Sequence, residues 1–197
     1  ADCFDVIKEW HNAKTNGRPT VVNMSWGYSS TITGDPTSGT YRGSGWVWGV
    51  DYTTDVALWQ GTGVVIPLAG TTRKIPARIA SVDADVDELI AAGVHVVIAA
   101  GNDYYKGDIS SGDDYNNNVI FGGLTFNYGR GSSPHSDDAF IVGNISTSVY
   151  NDGGIYKDRT QGSSSKGPRV NIWAPGTNIV GATSTTNIYT SLDSPVD

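Results

Sequence analysis

The side chain best suited to chemistry in this 197-residue chain is the carboxamide of Asn102. It closes the run Val94-His95-Val96-Val97-Ile98-Ala99-Ala100-Gly101-Asn102, nearly continuous in apolar residues. Such a run reads as a central parallel strand covered on both faces. In open α/β sheets, ligands gather at the carboxyl ends of strands, so Asn102 projects into the expected site. Its fixed amide N–H groups can stabilise an oxyanion without a proton transfer. The same Gly-Asn step also makes an ordinary turn, because both residues tolerate left-handed backbone.

Other groups compete for attention. Of the three histidines, His11 falls on the polar side of an amphipathic helix and reads as solvated. His95 opens its strand and therefore belongs to the end of the sheet away from the site. His135 lies in the polar loop Ser132-Ser133-Pro134-His135-Ser136-Asp137-Asp138, where Ser, His and Asp neighbours usually make only a loop. Asp103, Asp108, Asp113 and Asp114 follow the Asn102 strand among oxygen-rich neighbours, the ligand type calcium prefers. Solvated surface acids explain them as well, and no metal ligand is assigned.

The elements that must position Asn102 are legible in the spacing of apolar residues. Cys3, Val6, Ile7, Trp10 and Ala13 recur at helical intervals over residues 2–16, with Asn16-Gly17 as the stop. Thr20-Val21-Val22-Asn23-Met24-Ser25 reads as a buried strand. Val82, Val86, Leu89 and Ile90 place a second helix over 83–92, ended by Gly93. Further strands are expected at Ala139-Phe140-Ile141-Val142-Gly143 and Val170-Asn171-Ile172-Trp173. Helix, strand, helix, strand in this order spells a three-layer α/β domain, its mainly parallel sheet carrying helices on both faces. Residues 28–80 lack helical periodicity, and a connection so long reads as a folded insertion. Trp46-Val47-Trp48 and Val64-Val65-Ile66 are its expected short strands.

Composition narrows the partners. A net charge of −7, with Arg73-Lys74 as the longest basic cluster, argues against nucleic acid. No apolar run approaches the roughly 20 residues a membrane-spanning helix needs. The single cysteine, Cys3, excludes an intrachain disulfide and a multi-cysteine zinc site. The chain opens at Ala1, inside a helical pattern and without a signal peptide, so it reads as a fragment of one domain, residues 1–197.

Three segments then occur together and in order: Val21-Val22-Asn23-Met24-Ser25-Trp26-Gly27, Ala91 through Asn102, and Val170-Asn171-Ile172-Trp173-Ala174-Pro175-Gly176. The ordered triple resembles the subtilisin-like serine protease family, with its Asn-Met-Ser strand, Ala-Gly-Asn strand end and Ala-Pro-Gly turn. The resemblance covers the first helix to about Gly181, apart from the insertion. It implies that Asn102 is the oxyanion-hole donor and that Ser25, Trp26 and Gly27 form the edge pairing with the substrate backbone. It further implies that Ala99, Ala100 and Gly101 wall the primary specificity pocket. Structural calcium is the only cofactor it brings into view, and peptides or proteins are the implied substrates. Acidic charge and the family's habit favour an extracellular or particle-associated setting. One local departure is Ser163, standing where the family has Phe before Ser-Ser-x-Gly.

The family's catalytic Asp and His precede the first helix, and its Ser sits in a Gly-Thr-Ser-Met-Ala motif. None of these motifs is present in the chain. Gly181-Ala182-Thr183-Ser184-Thr185 is the nearest approach and lacks both the preceding Gly and the Met-Ala, so it is rejected as the nucleophile. The expectation is therefore part of a serine endopeptidase domain acting through an acyl-enzyme, with the triad outside this stretch and the stretch alone inactive. The rival is a catalytically inactive fold of the same type, kept as a structural or protein-binding module with the insertion as its docking surface. A nucleotide-binding α/β domain finds no support, since no Gly-x-Gly-x-x-Gly or Walker-type loop follows a strand.

Overall fold

The computed structural model describes residues 2–66, 70–146 and 150–177. In chain order the elements begin with α1 (Asp2–Ala13), β1 (Val21–Met24), β2 (Ser29–Thr33), β3 (Ser38–Tyr41), β4 (Ser44–Val47) and α2 (Asp55–Thr62). They continue with β5 (Thr72–Pro76), α3 (Ala80–Ala91), β6 (His95–Ala99), β7 (Asn118–Phe121) and β8 (Leu124–Phe126). The last are β9 (Phe140–Ile145), β10 (Tyr150–Asp152), β11 (Ile155–Lys157) and β12 (Ile172–Pro175).

The main sheet has the order β1-β6-β9-β12, and every pairing in it is parallel. Register follows the apolar pattern: Val22 stands beside Val96, and Met24 beside Ile98, which in turn pairs with Ile141. These side chains share one face with Phe4 of α1 and with Val86 and Leu89 of α3, forming one core. Each fully buried aliphatic side chain there contributes about 1.5–3 kcal/mol. The opposite face is also apolar, but nothing among the described residues covers it. Val21, Phe140 and Ile172 are more than half exposed there.

Three details of the helices differ from the sequence reading. The buried stripe of α1 is Phe4 and Ile7, whereas Cys3, Val6 and Trp10 face solvent. Both sets fit a 3.6-residue period, and only contact with α3 selects between them. His11 is not solvated: its Nδ1 lies 2.8 Å from Thr20 Oγ1, tying α1 to the start of β1. The second helix begins three residues before its expected start, buries Val86 and Leu89, and ends where Gly93 (φ +93°) turns the chain.

Residues 28–80 fold into β2 to β5 and α2. Helix α2 went unforeseen because Gly61 and alternating polar residues hide it. Thr54 caps it by accepting from the Ala57 N–H, and Gly63 closes it at φ +75°. Val64-Val65-Ile66 is not a strand, although Val64 and Ile66 are buried. This region does not stand apart. Strands β7 and β8, from beyond Asn102, extend the antiparallel sheet β4-β3-β7-β8, and Tyr105, Val119 and Tyr128 complete a second core around Trp46, Leu58 and Ile75.

One buried carboxylate locks that union. Asp114 accepts from Arg42 Nε at 2.7 Å and Nη2 at 2.9 Å, from Asn117 Nδ2, and from the ammonium of Lys106. Arg42 holds its carboxyl far below the usual carboxylate range, aided by Lys106 and Asn117 and opposed by burial. Asp114→Asn should cost about 2 kcal/mol in urea unfolding, the scale for hydrogen bonds to charged groups, discounted because Arg42 and Lys106 are half exposed.

Acid should destabilise the fold in two stages. Burial, then the Arg169 and Arg78 charges, depress the His135 imidazole to about 3. The unfolded chain takes up that proton near pH 6.5 and the folded one does not, so stability is full above pH 6.5 and falls as pH drops toward 3. Asp114 also has a depressed folded value, and its share is lost only below its unfolded value of 3.8. Urea midpoints at pH 7, 5 and 3 read both stages, and His135→Gln should flatten the first.

Candidate functional site

Because β1 and β6 run parallel and side by side, their carboxyl ends meet at one edge of the sheet. There a pocket of about 430 Å³ opens on the uncovered face. Ser25, Ala99, Ala100, Gly101 and Asn102 line it, together with Asn144, Ser164 and the turn Ala174-Pro175-Gly176 at the end of β12. All three sequence segments thus converge on one cavity. Asn102 is exposed, and its carboxamide makes no hydrogen bond to any described residue, leaving its donors available. Ser25 Oγ is held by Asn23 Nδ2 at 3.0 Å.

The chain reaches Asn102 through a backbone that only glycine adopts easily. Gly101 has φ +98°, and its carbonyl accepts from the Ser165 N–H at 2.8 Å. A Cβ on Gly101 would stand 3.3 Å from Ser165 Oγ. The segment before β12 is thereby stitched to the tip of β6. Ala100 belongs to the main core, so of the alanine pair only Ala99 presents its methyl to the open face.

Trp26 and Gly27 lie beyond the rim of this pocket. Trp26 is 45% exposed and meets Tyr28 edge to face at 5.7 Å. Gly27 approaches the turn before β9 so closely that a Cβ would stand 2.9 Å from Ser132 Oγ. The same turn is pinned by Ser133, whose carbonyl accepts from Tyr28 and whose amide donates to Ala77. Its hydroxyl accepts from the Ile79 amide at 2.7 Å. Behind Gly101, a narrow cleft is lined by Pro76, Asp103, Ser132 and Ser165. Burial raises the Asp103 carboxyl above its ordinary value, against the pull of Lys74 and Arg73.

Sequence reasoning missed Asn144, Ser132 and Ser164. Asn144 Oδ1 is buried without a partner, and the Asn144 N–H donates to Ser164 Oγ at 3.0 Å. Asn144 and Ser164 reach the Asn102 pocket from a strand interior and a turn, and Ser132 reaches the cleft behind Gly101; only Ser164 stands in a motif, the Ser-Ser-x-Gly stretch, where nothing singled it out. Among the histidines, His95 is exposed at the far end of β6. His135 is 6% exposed and lines other cavities. Neither enters the Asn102 pocket. Gly181-Ala182-Thr183-Ser184-Thr185 lies outside the described residues.

Two carboxylates of the acidic run are already engaged within the fold. Asp108 accepts from the amides of Ile109 and Asp114, while Asp114 is taken by Arg42, Lys106 and Asn117. Among the described residues, no group of three or more His, Cys, Asp or Glu side chains is placed to hold a metal ion.

Comparison with curated proteins and with solved structures gives no match. The sequence profile of the Subtilase family, in contrast, matches residues 4–196, nearly the whole chain and all three segments that build the pocket. With the parallel sheet and the convergence of those segments, this chain belongs to the subtilase family of serine peptidases.

Proposed function

We propose that this chain forms the oxyanion-binding and substrate-binding part of a serine endopeptidase domain that hydrolyses peptide bonds through an acyl-enzyme. The observation that supports the reading is the meeting of Ser25, Asn102 and Pro175 around one open pocket. A tetrahedral intermediate places negative charge on the former carbonyl oxygen, and a preorganised amide donor in a partly dry site stabilises it more than water does. Asn102 carries unengaged donors three residues beyond a strand held on both sides by β1 and β9, so the backbone that presents it is fixed before that charge develops. The backbone from Ser25 to Gly27 offers the substrate an extended edge, and peptides or proteins are the substrates.

The nucleophilic Ser, its His base and the orienting Asp are assigned to sequence beyond these 197 residues, in keeping with the family's motif order. Their division of labour is general: serine attacks, histidine shuttles the proton, and aspartate fixes the imidazole. The chain by itself should therefore give no labelling with a fluorophosphonate serine probe. Labelling that survives mutation of every serine outside Ser184 would overturn the assignment of the nucleophile.

In the longer polypeptide that carries the triad, Asn102→Ala should lower kcat far more than it changes KM. The expected loss, about 10²–10³, is borrowed from the same donor in subtilisin, a member of this family. Loss of KM alone would make Asn102 a substrate-binding group instead. If the longer polypeptide folds but no variant, including the parent sequence, turns over peptides or takes the probe, the chain serves as a binding module.

A further inference from the structure

Away from the Asn102 pocket, Arg169 is buried as a cation whose side chain has no hydrogen-bonded partner among the described residues. The residue is 6% exposed, and its Nε meets no acceptor. Its side chain threads between two glycines. A Cβ on Gly107 would fall 2.3 Å from Arg169 Cδ, and one on Gly131 would fall 1.2 Å from Nη1. The local backbone is thus shaped around this guanidinium. Yet the carboxylates that act on it do not pair with it. Asp83 is engaged by Arg78 Nε at 2.8 Å, and Asp137 is largely exposed beside His135. A guanidinium withdrawn from water without a counter-charge is costly, and burial accordingly lowers its ordinary value to about 10.

The counter-charge has a place to sit. Arg169 lines a pocket of about 190 Å³ between the turn before β9 and the loop at Ile109. Ser110, Ser111, Ser136, Asn171, His135 and Asp137 are the other polar groups that line it. Asn171 Oδ1 already accepts from the Ile141 amide at 2.7 Å, which leaves its Nδ2 as a donor facing outward from that bond. Ser136 Oγ accepts from the Asp138 amide and keeps its own proton to give. Hydroxyls, an amide N–H and a guanidinium make a lining rich in donors, and the opposing Asp137 carboxylate is largely exposed and screened by water. An oxyanion of single charge suits a guanidinium, whose charge-assisted hydrogen bonds to carboxylates are strong.

We propose that this pocket is a binding site for a small carboxylate, held by Arg169 with the help of Asn171 and the serine hydroxyls. The carboxylate is either a free acid or the terminus of a peptide; both present the same two oxygens.

Thermal unfolding of the full chain in acetate, against sodium chloride at equal ionic strength, tests the site. The parent sequence should gain about 3–5 °C at ten times the dissociation constant and keep rising with the logarithm of concentration, as for a ligand that binds only the folded state. N-acetylglycine should reproduce the gain if a peptide carboxylate fits as well as a free acid, and N-acetylglycinamide should not. Arg169→Met should abolish the response. Asn171→Asp keeps the acceptor for Ile141 and supplies an internal carboxylate, so it should raise the melting temperature without acetate and remove the gain with it. An equal response in Arg169→Met, or none beyond that of chloride in the parent, overturns the proposal. So does an Arg169-dependent response to phosphate with none to acetate.

Discussion

The parallel pairing of β1 with β6 is the constraint on which the rest depends. It is held by burial on one side only, where Met24, Val96 and Ile98 pack under Phe4, Val86 and Leu89. Parallel register sends both strands toward the same edge, so Ser25 and Asn102 arrive together although 77 positions separate them in sequence. An antiparallel arrangement of the same strands would send them to opposite ends. The chemistry of the pocket is in this sense a consequence of strand direction, which the α3 crossover enforces.

At the edge itself, close approaches between backbones replace side-chain bulk. Gly101 takes a left-handed turn against Ser165, and Gly27 leaves room for Ser132. Ser133 gathers Tyr28, Ala77 and Ile79 around one fully buried residue. Each contact joins segments far apart in the chain, so the pocket wall is built by tertiary hydrogen bonds at points where local structure has already ended.

The insertion does not line the pocket but braces the loop that leaves it. Tyr105, three residues past Asn102, is 1% exposed and donates its hydroxyl to the Val65 carbonyl at 3.3 Å. Tyr128 donates to the Thr62 carbonyl at 2.8 Å. With the Asp114 pairs to Arg42 and Lys106, these bonds bind the loop after Asn102 to residues 28–80. The stretch leaving the site is therefore anchored in a second core of its own.

The sequence by itself determined the frame α1-β1-α3-β6-β9-β12, its parallel sheet, the apolar face of α3 and the family. Long periodic runs and the Asn-Met-Ser, Ala-Gly-Asn and Ala-Pro-Gly segments carry that information locally. What it left undecided was which stripe of α1 is buried, since Phe4 and Cys3 both satisfy a helical period until α3 arrives. Helix α2 was hidden too, because Leu58 and Thr62 are buried by the second core and not by any amphipathic pattern. Asn144, Ser132 and Arg169 acquire their roles only from neighbours distant in the chain. Burial and partnership are properties of the packed molecule, and no spacing of residues along one strand encodes what another strand will place beside it.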